Sequence, residues 1–129
     1  MITGVASDTT SMLVAAALNA AAAKHLALAQ NIANANNEGY RPLAVNFDER
    51  LAFYKSQLLD PRNDAVSVRV AQTLNEATAL VPATGSTSGK IQLDAEIAKM
   101  VQNTVHYEAL LGARNKLSSM LRTAINGGR

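Results

Sequence analysis

The segment Gly85-Ser-Thr-Ser-Gly89-Lys90 has several residues of a phosphate-binding loop. Such a loop needs glycines that free backbone amides to surround phosphates, a lysine, and a following hydroxyl that binds magnesium. This segment is one residue short of the pattern, and Ile91 stands where the hydroxyl belongs. Residues 79–82 before it make a poor strand. We therefore interpret residues 82–89 as a linker and keep a soluble helical adaptor or nucleotide-binding module as an alternative.

Histidine chemistry is restricted to His25 and His106, the two histidines of the chain. A metal site would need carboxylates beside them, and Glu108 lies only two residues from His106, a spacing that does not share a helix face. No nucleophile-elbow pattern supplies the serine of a catalytic triad. We expect both histidines to lie in or beside a helix seam, and we expect no catalytic residue, metal or cofactor.

Asparagine is concentrated in one stretch, Asn31-Ile32-Ala33-Asn34-Ala35-Asn36-Asn37-Glu38-Gly39-Tyr40. Asparagine is a poor helix former because its amide competes for backbone groups. Asn31 and Asn34 share a helix face, where their amides could cap the last carbonyls or bond to the backbone of a neighbouring subunit. Gly39 suits a left-handed exit, and Tyr40 an anchoring ring. An ordinary helix stop explains the pattern equally well.

Composition limits how these residues can be positioned. The chain has 129 residues, enough for one domain, and 48% of them are hydrophobic, yet it has no tryptophan, two phenylalanines and three tyrosines. Bulky core residues are thus scarce, which favours long helices packed together over a deep core. The net charge of +2 is spread along the chain and argues against nucleic acid. Cysteine is absent, which excludes disulfides and thiolate metal sites.

The first third of the chain predicts one long, alanine-rich helix that begins near Asp8-Thr9-Thr10-Ser11 and continues to about residue 36. Apolar and small residues recur there at spacings of four and three, as in a coiled-coil seam. The seam is Val14, Leu18, Ala21, His25, Leu28, Ile32 and Ala35. Because no basic residue precedes the apolar run 12–23, and Lys24 closes it, we expect neither a signal peptide nor membrane insertion.

The last third predicts a second long helix, with Asp94 as its cap and its end before Gly127-Gly128. Its apolar stripe is Ile97, Met100, Val101, Val105, Leu111, Leu117, Met120, Leu121 and Ile125. All three prolines lie between the two helices. Residues 43–47 alternate like a strand, residues 47–58 also fit a short helix, and Val66, Val68 and Val70 predict a strand.

The motif Asn31-Ile32-Ala33-Asn34 followed by Gly39-Tyr40 resembles the N-terminal signature of the flagellar axial proteins, the rod, hook and hook-associated subunits. The segments Leu93-Asp94-Ala95-Glu96-Ile97-Ala98-Lys99-Met100 and Tyr107-Glu108-Ala109-Leu110 are similar to the closing helix of that family. Phe47-Asp48 and the ending Leu121-Arg122-Thr123-Ala124-Ile125-Asn126-Gly127-Gly128 resemble the B-type proximal rod subunits. Another rod or hook subunit is the alternative.

The resemblance implies a mainly α protein whose two terminal helices pack as an antiparallel coiled coil around an irregular middle. Residues 1–40 and 91–129 would form the inner layer of a tubular filament, and residues 41–90 its variable outer part. The resemblance also implies a periplasmic rod, type III export without a cleaved signal, and torque transmission. Partners would be other rod proteins, the export-gate and membrane-ring junction, and further copies in a helical array.

The expected assembly motif is Asn31, Ile32, Ala33, Asn34, Gly39 and Tyr40. The expected helix-seam packing uses Val14, Leu18 and Leu28 in the first helix and Ile97, Met100, Leu111, Leu117, Leu121 and Ile125 in the second.

Overall fold

A computed structural model describes residues 2–58, 73–74, 76–83 and 91–127 of the chain. Its elements are helix α1, Ile2–Ala33; strand β1, Leu43–Val45; helix α2, Phe47–Leu58; strand β2, Leu80–Pro82; and helix α3, Leu93–Asn126. At 1.5 Å per residue, α1 and α3 are each about 50 Å long. The expected mainly helical fold with long terminal helices is confirmed.

Helix α1 begins earlier than expected, at Ile2 rather than near Asp8. Residues 8–11 therefore lie inside the helix, because nothing in that stretch is as disruptive as proline and two good helix formers, Met12 and Leu13, follow immediately. The C-terminal helix begins at Leu93 after Gln92, which makes no side-chain capping bond, so the predicted cap at Asp94 is wrong. Asp94 and Glu96 lie in the first turn, where their charges favour the positive end of the helix dipole.

The two long helices are antiparallel. Asn31 near the end of α1 bonds to Glu96 at the start of α3, whereas Asn103, further along α3, bonds to the carbonyl of Ala21. The contact thus moves back along α1 as it moves forward along α3. Leu18, Ala21, Ala27 and Leu28 are buried on α1, and their small or branched side chains allow close packing.

The described part of the middle of the chain packs mainly against α1. Strands β1 and β2 form a two-stranded antiparallel sheet in which Leu43, Ala44 and Val45 pair with Pro82, Val81 and Leu80. Residues 80–82, judged a poor strand from their sequence, are therefore a strand. Proline is tolerated there because it ends a short strand that pairs on one edge only. A strand over residues 43–47 and a short helix over residues 47–58 were alternatives from the sequence, and both form, as β1 and α2.

A small apolar cluster joins these elements to α1. Ala16 and Ala20 of α1 contact Phe47 and Tyr54 of α2, together with Leu74 and Ala77. Leu74 is 1% exposed. The strand predicted from Val66, Val68 and Val70, and most of the predicted linker, lie outside the described residues.

Candidate assembly site

The asparagine-rich stretch at the end of α1 forms a hydrogen-bonded site that joins three elements. Asn31 is 3% exposed, in the last turn of α1. Its Oδ1 accepts from the backbone N–H of Leu43 at 2.8 Å, and its Nδ2 donates to the Leu43 carbonyl at 3.0 Å. One side chain thus pairs with both backbone groups of a strand residue, as a neighbouring strand would. This pairing fixes β1 against α1.

The remaining capacity of the Asn31 amide is also used. Tyr40 donates its hydroxyl to Asn31 Oδ1 at 3.1 Å, and Asn31 Nδ2 donates to Glu96 Oε2 at 3.2 Å. The other carboxylate oxygen, Glu96 Oε1, forms an ion pair with Lys99 at 2.9 Å. Asn31 therefore makes four hydrogen bonds, which is all that a primary amide ordinarily makes.

The phenol of Tyr40 lies beside a charge. Partial burial raises the pKa of Tyr40 above its ordinary value of 10.0, and the negative charge of Glu96 raises it further. Both effects disfavour the phenolate, which could no longer donate to Asn31 and would repel the carboxylate. The hydroxyl is therefore held in the donor form that the site requires.

The turn between α1 and β1 is built by the rest of the motif. Asn34 donates its side-chain amide to the carbonyl of Gln30 at 2.9 Å and so caps the end of its own helix. Gly39 has φ +84°, the left-handed conformation in which a residue with a Cβ is strained. Ile32 is half-buried and Ala33 is exposed. The chain reverses here and returns Tyr40 and Leu43 to Asn31.

Two of these partners were not identified from the sequence. These are Glu96 and Asn103, which are 8% and 5% exposed. Both are buried polar residues on the face of α3 that contacts α1. Asn103 donates to the Ala21 carbonyl at 2.8 Å. The two residues are seven apart, two turns of one helix face, so their spacing was the available signal. An apolar seam does not include either residue, because both are polar.

The predicted seam residues have different environments in the single chain. Leu18 and Leu28 are buried and Val14 is half-buried on α1. Met100, Leu111 and Leu117 are half-buried on α3, whereas Ile97, Leu121 and Ile125 are exposed, Ile125 at 80%. The face of α3 that contacts α1 has Glu96 and Asn103 at its N-terminal end. The packing proposed for the three exposed residues therefore needs a neighbouring chain.

Chemistry other than packing has little support in the described part of the chain. Its residues contain no group of three or more histidine, cysteine or carboxylate side chains placed to hold a metal. His25 and His106 are both exposed. A cavity of about 310 Å³ between α1 and α3 is lined by Ala21, Ala22, His25, Asn103, Thr104 and Tyr107. Residues 85–90 lie outside the part described.

Comparison with known proteins agrees with an assembly role. No protein-family model matches the chain. Over 118 residues the chain is 28% identical to the flagellar basal body rod protein FlgB of Bacillus subtilis (strain 168), in a match that covers 88% of this chain and 90% of that protein. That relative is a protein of the flagellar basal body rod, and the similarity extends over nearly all of both chains.

Proposed function

We propose that the chain is a structural subunit of the flagellar basal body rod, of the B type, that assembles with other rod proteins into a helical array. The similarity to FlgB along almost the whole chain carries this proposal. The two long antiparallel helices support it, since many large apolar side chains on them are exposed in the described part of the chain. In this role the chain links the export-gate and membrane-ring junction to the distal rod and transmits torque.

Stiffness is the mechanical property that this role needs. Packed helix interfaces deform little because their interiors are as dense as organic crystals. The four hydrogen bonds of Asn31 add a fixed joint between α1, β1 and α3. We propose that residues 1–40 and 91–129 form the inner layer of the rod. Residues 41–90 then form its outer part, and the motif around Asn31 sets the angle between them.

The seam residues divide into two roles under this proposal. Leu18 and Leu28 stabilise the helix pair within one chain, with Val14, Met100, Leu111 and Leu117 at its margins. Ile97, Leu121 and Ile125 contact neighbouring rod subunits, because a single chain leaves them exposed. Ile32, Ala33, Asn34, Gly39 and Tyr40 serve assembly by holding the turn.

Helix α1 also passes a simple test for a membrane span. The segment Thr10–Ala33 is long and apolar enough to cross a membrane, with a mean hydropathy of 1.5, and 33% of its most apolar stretch is buried in the fold. We propose that this surface packs on protein in a periplasmic rod that the flagellar type III system exports without a cleaved signal. The support is Asn31, whose bonds to β1 and α3 a lone spanning helix would lose.

Mass spectrometry of purified hook and basal-body complexes from the native bacterium tests the proposed function. The chain should co-purify in stoichiometric amount with the other rod proteins. A strain that lacks the chain provides the control and should swim only when the chain is restored. Absence of the chain from otherwise intact complexes would contradict the proposal.

A further inference from the structure

One edge of α1 has a second row of small and apolar side chains, in addition to the seam buried against α3. Met12, Ala15, Asn19, Ala22 and Leu26 recur at alternating spacings of three and four. Met12 is 43% exposed and Leu26 is 52% exposed, and the other three are exposed or half-buried. We name this row the outer stripe of α1. Its spacing is that of a coiled-coil seam. Among the described residues, α3 comes near this stripe at its edge, where Ala22 borders the cavity shared with Asn103 and Tyr107.

A complementary row lies on α3. Leu93, Ile97, Val101 and Val105 follow one another at spacings of four, and between 45% and 61% of each residue is exposed. We name this row the outer ridge of α3. Residues four apart form the ridges that insert into the grooves of a facing helix. The ridge is branched and bulky where the stripe is mostly small.

The two rows lie at opposite edges of the helix pair. At about 100° per residue, the outer stripe is centred roughly 150° around α1 from Ala21 and Leu28. The outer ridge is centred roughly 130° around α3 from Glu96 and Asn103, the residues that bond or turn toward α1. The outer stripe therefore faces away from α3, and the outer ridge faces away from α1. Among the described residues, the middle of the chain packs on Ala16 and Ala20, on a different face of α1 from the outer stripe.

We propose that the outer stripe of α1 binds the outer ridge of α3 of a second copy of this chain. This inference rests on the proposed function and specifies one contact of the array. Pairing unlike edges leaves a free stripe at one end and a free ridge at the other, so copies add side by side without closing. Helices α1 and α3 then alternate along the wall of the assembly.

The arrangement of the rows favours this occupant over a closed dimer. A two-fold dimer would pair stripe with stripe or ridge with ridge, and would leave the opposite edge of each chain exposed. The rows have five and four residues, whereas a stable pairwise interface uses about 20–30 residues a side. One such contact is therefore weak, and it is stabilised only when each chain uses both edges at once.

Asn19 gives the contact a register. It lies within the otherwise apolar stripe and is exposed in the single chain. Once it is covered by a second helix, its amide must find a hydrogen-bond partner, because an unpaired buried amide is costly. A single asparagine in a coiled-coil seam selects the register that satisfies it. Only one alignment of stripe and ridge should therefore predominate.

Disulfide trapping tests the contact directly, since the chain has no cysteine of its own. One set of full-length chains has Ala15→Cys or Ala22→Cys, and a second, differently tagged set has Ile97→Cys, Val101→Cys or Val105→Cys. The sets are mixed at high concentration and oxidised with copper phenanthroline. A disulfide needs Cα atoms within about 7 Å, so at least one combination should yield mixed dimers.

The matched control is Ala113→Cys, which is exposed on α3 and lies off both the outer ridge and the face toward α1. It should give no mixed dimer above background with either α1 variant. Circular dichroism of each variant should show unchanged helix content, which small substitutions at exposed sites permit. Disulfides formed only between identical positions would overturn the proposal in favour of a closed dimer.

A lipid surface is the other possible cover for the stripe. Flotation with vesicles of phosphatidylethanolamine and phosphatidylglycerol, combined with labelling of Ala22→Cys by a water-soluble maleimide, detects it. The proposal would be overturned if vesicles protect Ala22→Cys from the maleimide and no mixed dimers form. If the chain still co-purifies with basal bodies but forms no mixed dimers, this contact alone is overturned. If the chain is missing from intact basal bodies, the proposed function is overturned.

Discussion

Asn31 is the residue that most connects the parts of the chain. In the last turn of α1, the buried side-chain amide of Asn31 bonds to the backbone of β1 and to the carboxylate of Glu96. Each bond adds modestly to stability, but removal of the amide leaves several partners without one at the same time. The cost of losing Asn31 should thus exceed that of any single bond.

Asn31→Ala should lower the free energy of unfolding by about 2 kcal/mol or more, because the amide and carbonyl of Leu43 lose their partner. Asn34→Ala is the matched control. Its amide bonds only to Gln30 within the same helix turn and to Asn37 at the limit of 3.5 Å, so it should cost less than about 1 kcal/mol. Urea unfolding followed by circular dichroism measures both, and equal losses would contradict the joint assigned to Asn31.

Tyr40 should make stability fall in alkaline solution. Its pKa is raised in the folded chain, so above about pH 10 the unfolded chain releases the proton more readily. The free energy of unfolding then decreases as pH rises from the ordinary pKa through the raised one. Tyr40→Phe removes this ionisation and should flatten the decline above about pH 10. Unfolding curves at several pH values test it, and parallel declines would exclude Tyr40 as the cause.

At the scale of elements, the turn between α1 and β1 and the interior of α3 each contain a glycine, and the two glycines have opposite effects on stability. Gly39 needs its positive φ to return the chain toward Asn31. Gly112 lies within α3, and an added Cβ there would meet nothing within 4 Å. A glycine inside a helix loses conformational freedom without any geometric benefit.

Gly39→Ala should therefore destabilise the chain by about 1 kcal/mol, although an added Cβ has open space there, because alanine is strained at this φ. Gly112→Ala should stabilise it by a similar amount, about 1 kcal/mol. Thermal melts of the two variants and the parent test this pair. A shift of the melting temperature in the same direction for both would contradict the role assigned to the turn.

At the scale of the whole molecule, the proposed array assigns folding and assembly to different faces of the same helix. Leu28 is 5% exposed and packs within the chain, whereas Leu26, two residues earlier, is 52% exposed on the outer stripe. Substitutions at Leu28 and Leu26 can therefore distinguish folding from assembly within one turn of α1. Leu117, half-buried on α3, belongs with Leu28.

Leu28→Asp and Leu117→Asp should both abolish assembly and motility by placing a charge in a packed helix pair, with the greater loss of helix content for Leu28. Leu26→Asp should keep the helix content of the free chain and still reduce self-association. Circular dichroism, sedimentation at rising concentration, and swimming of complemented strains measure these effects. Normal swimming of the Leu28→Asp strain would contradict the seam.

The sequence by itself determined the broad architecture. Two long helices around an irregular middle are predicted by three features: the alanine-rich first third, the apolar stripe of the last third and the prolines between them. These features suffice because helix periodicity and proline act on the chain locally. The same local reasoning singled out residues 31–40, and it identified Gly39 as suited to a left-handed exit.

The tertiary structure decided which groups meet. Residues 43–47 fitted a strand and residues 47–58 a helix, as alternatives. Both form, because β1 pairs with β2 and α2 packs against Ala16 and Ala20. Likewise, Asn31 could have capped its own helix or bonded another subunit, and it bonds to Leu43 and Glu96 of the same chain instead. Glu96 lies 65 residues away along the sequence. Contacts over such separations depend on how the helices align, which no local pattern of residues specifies.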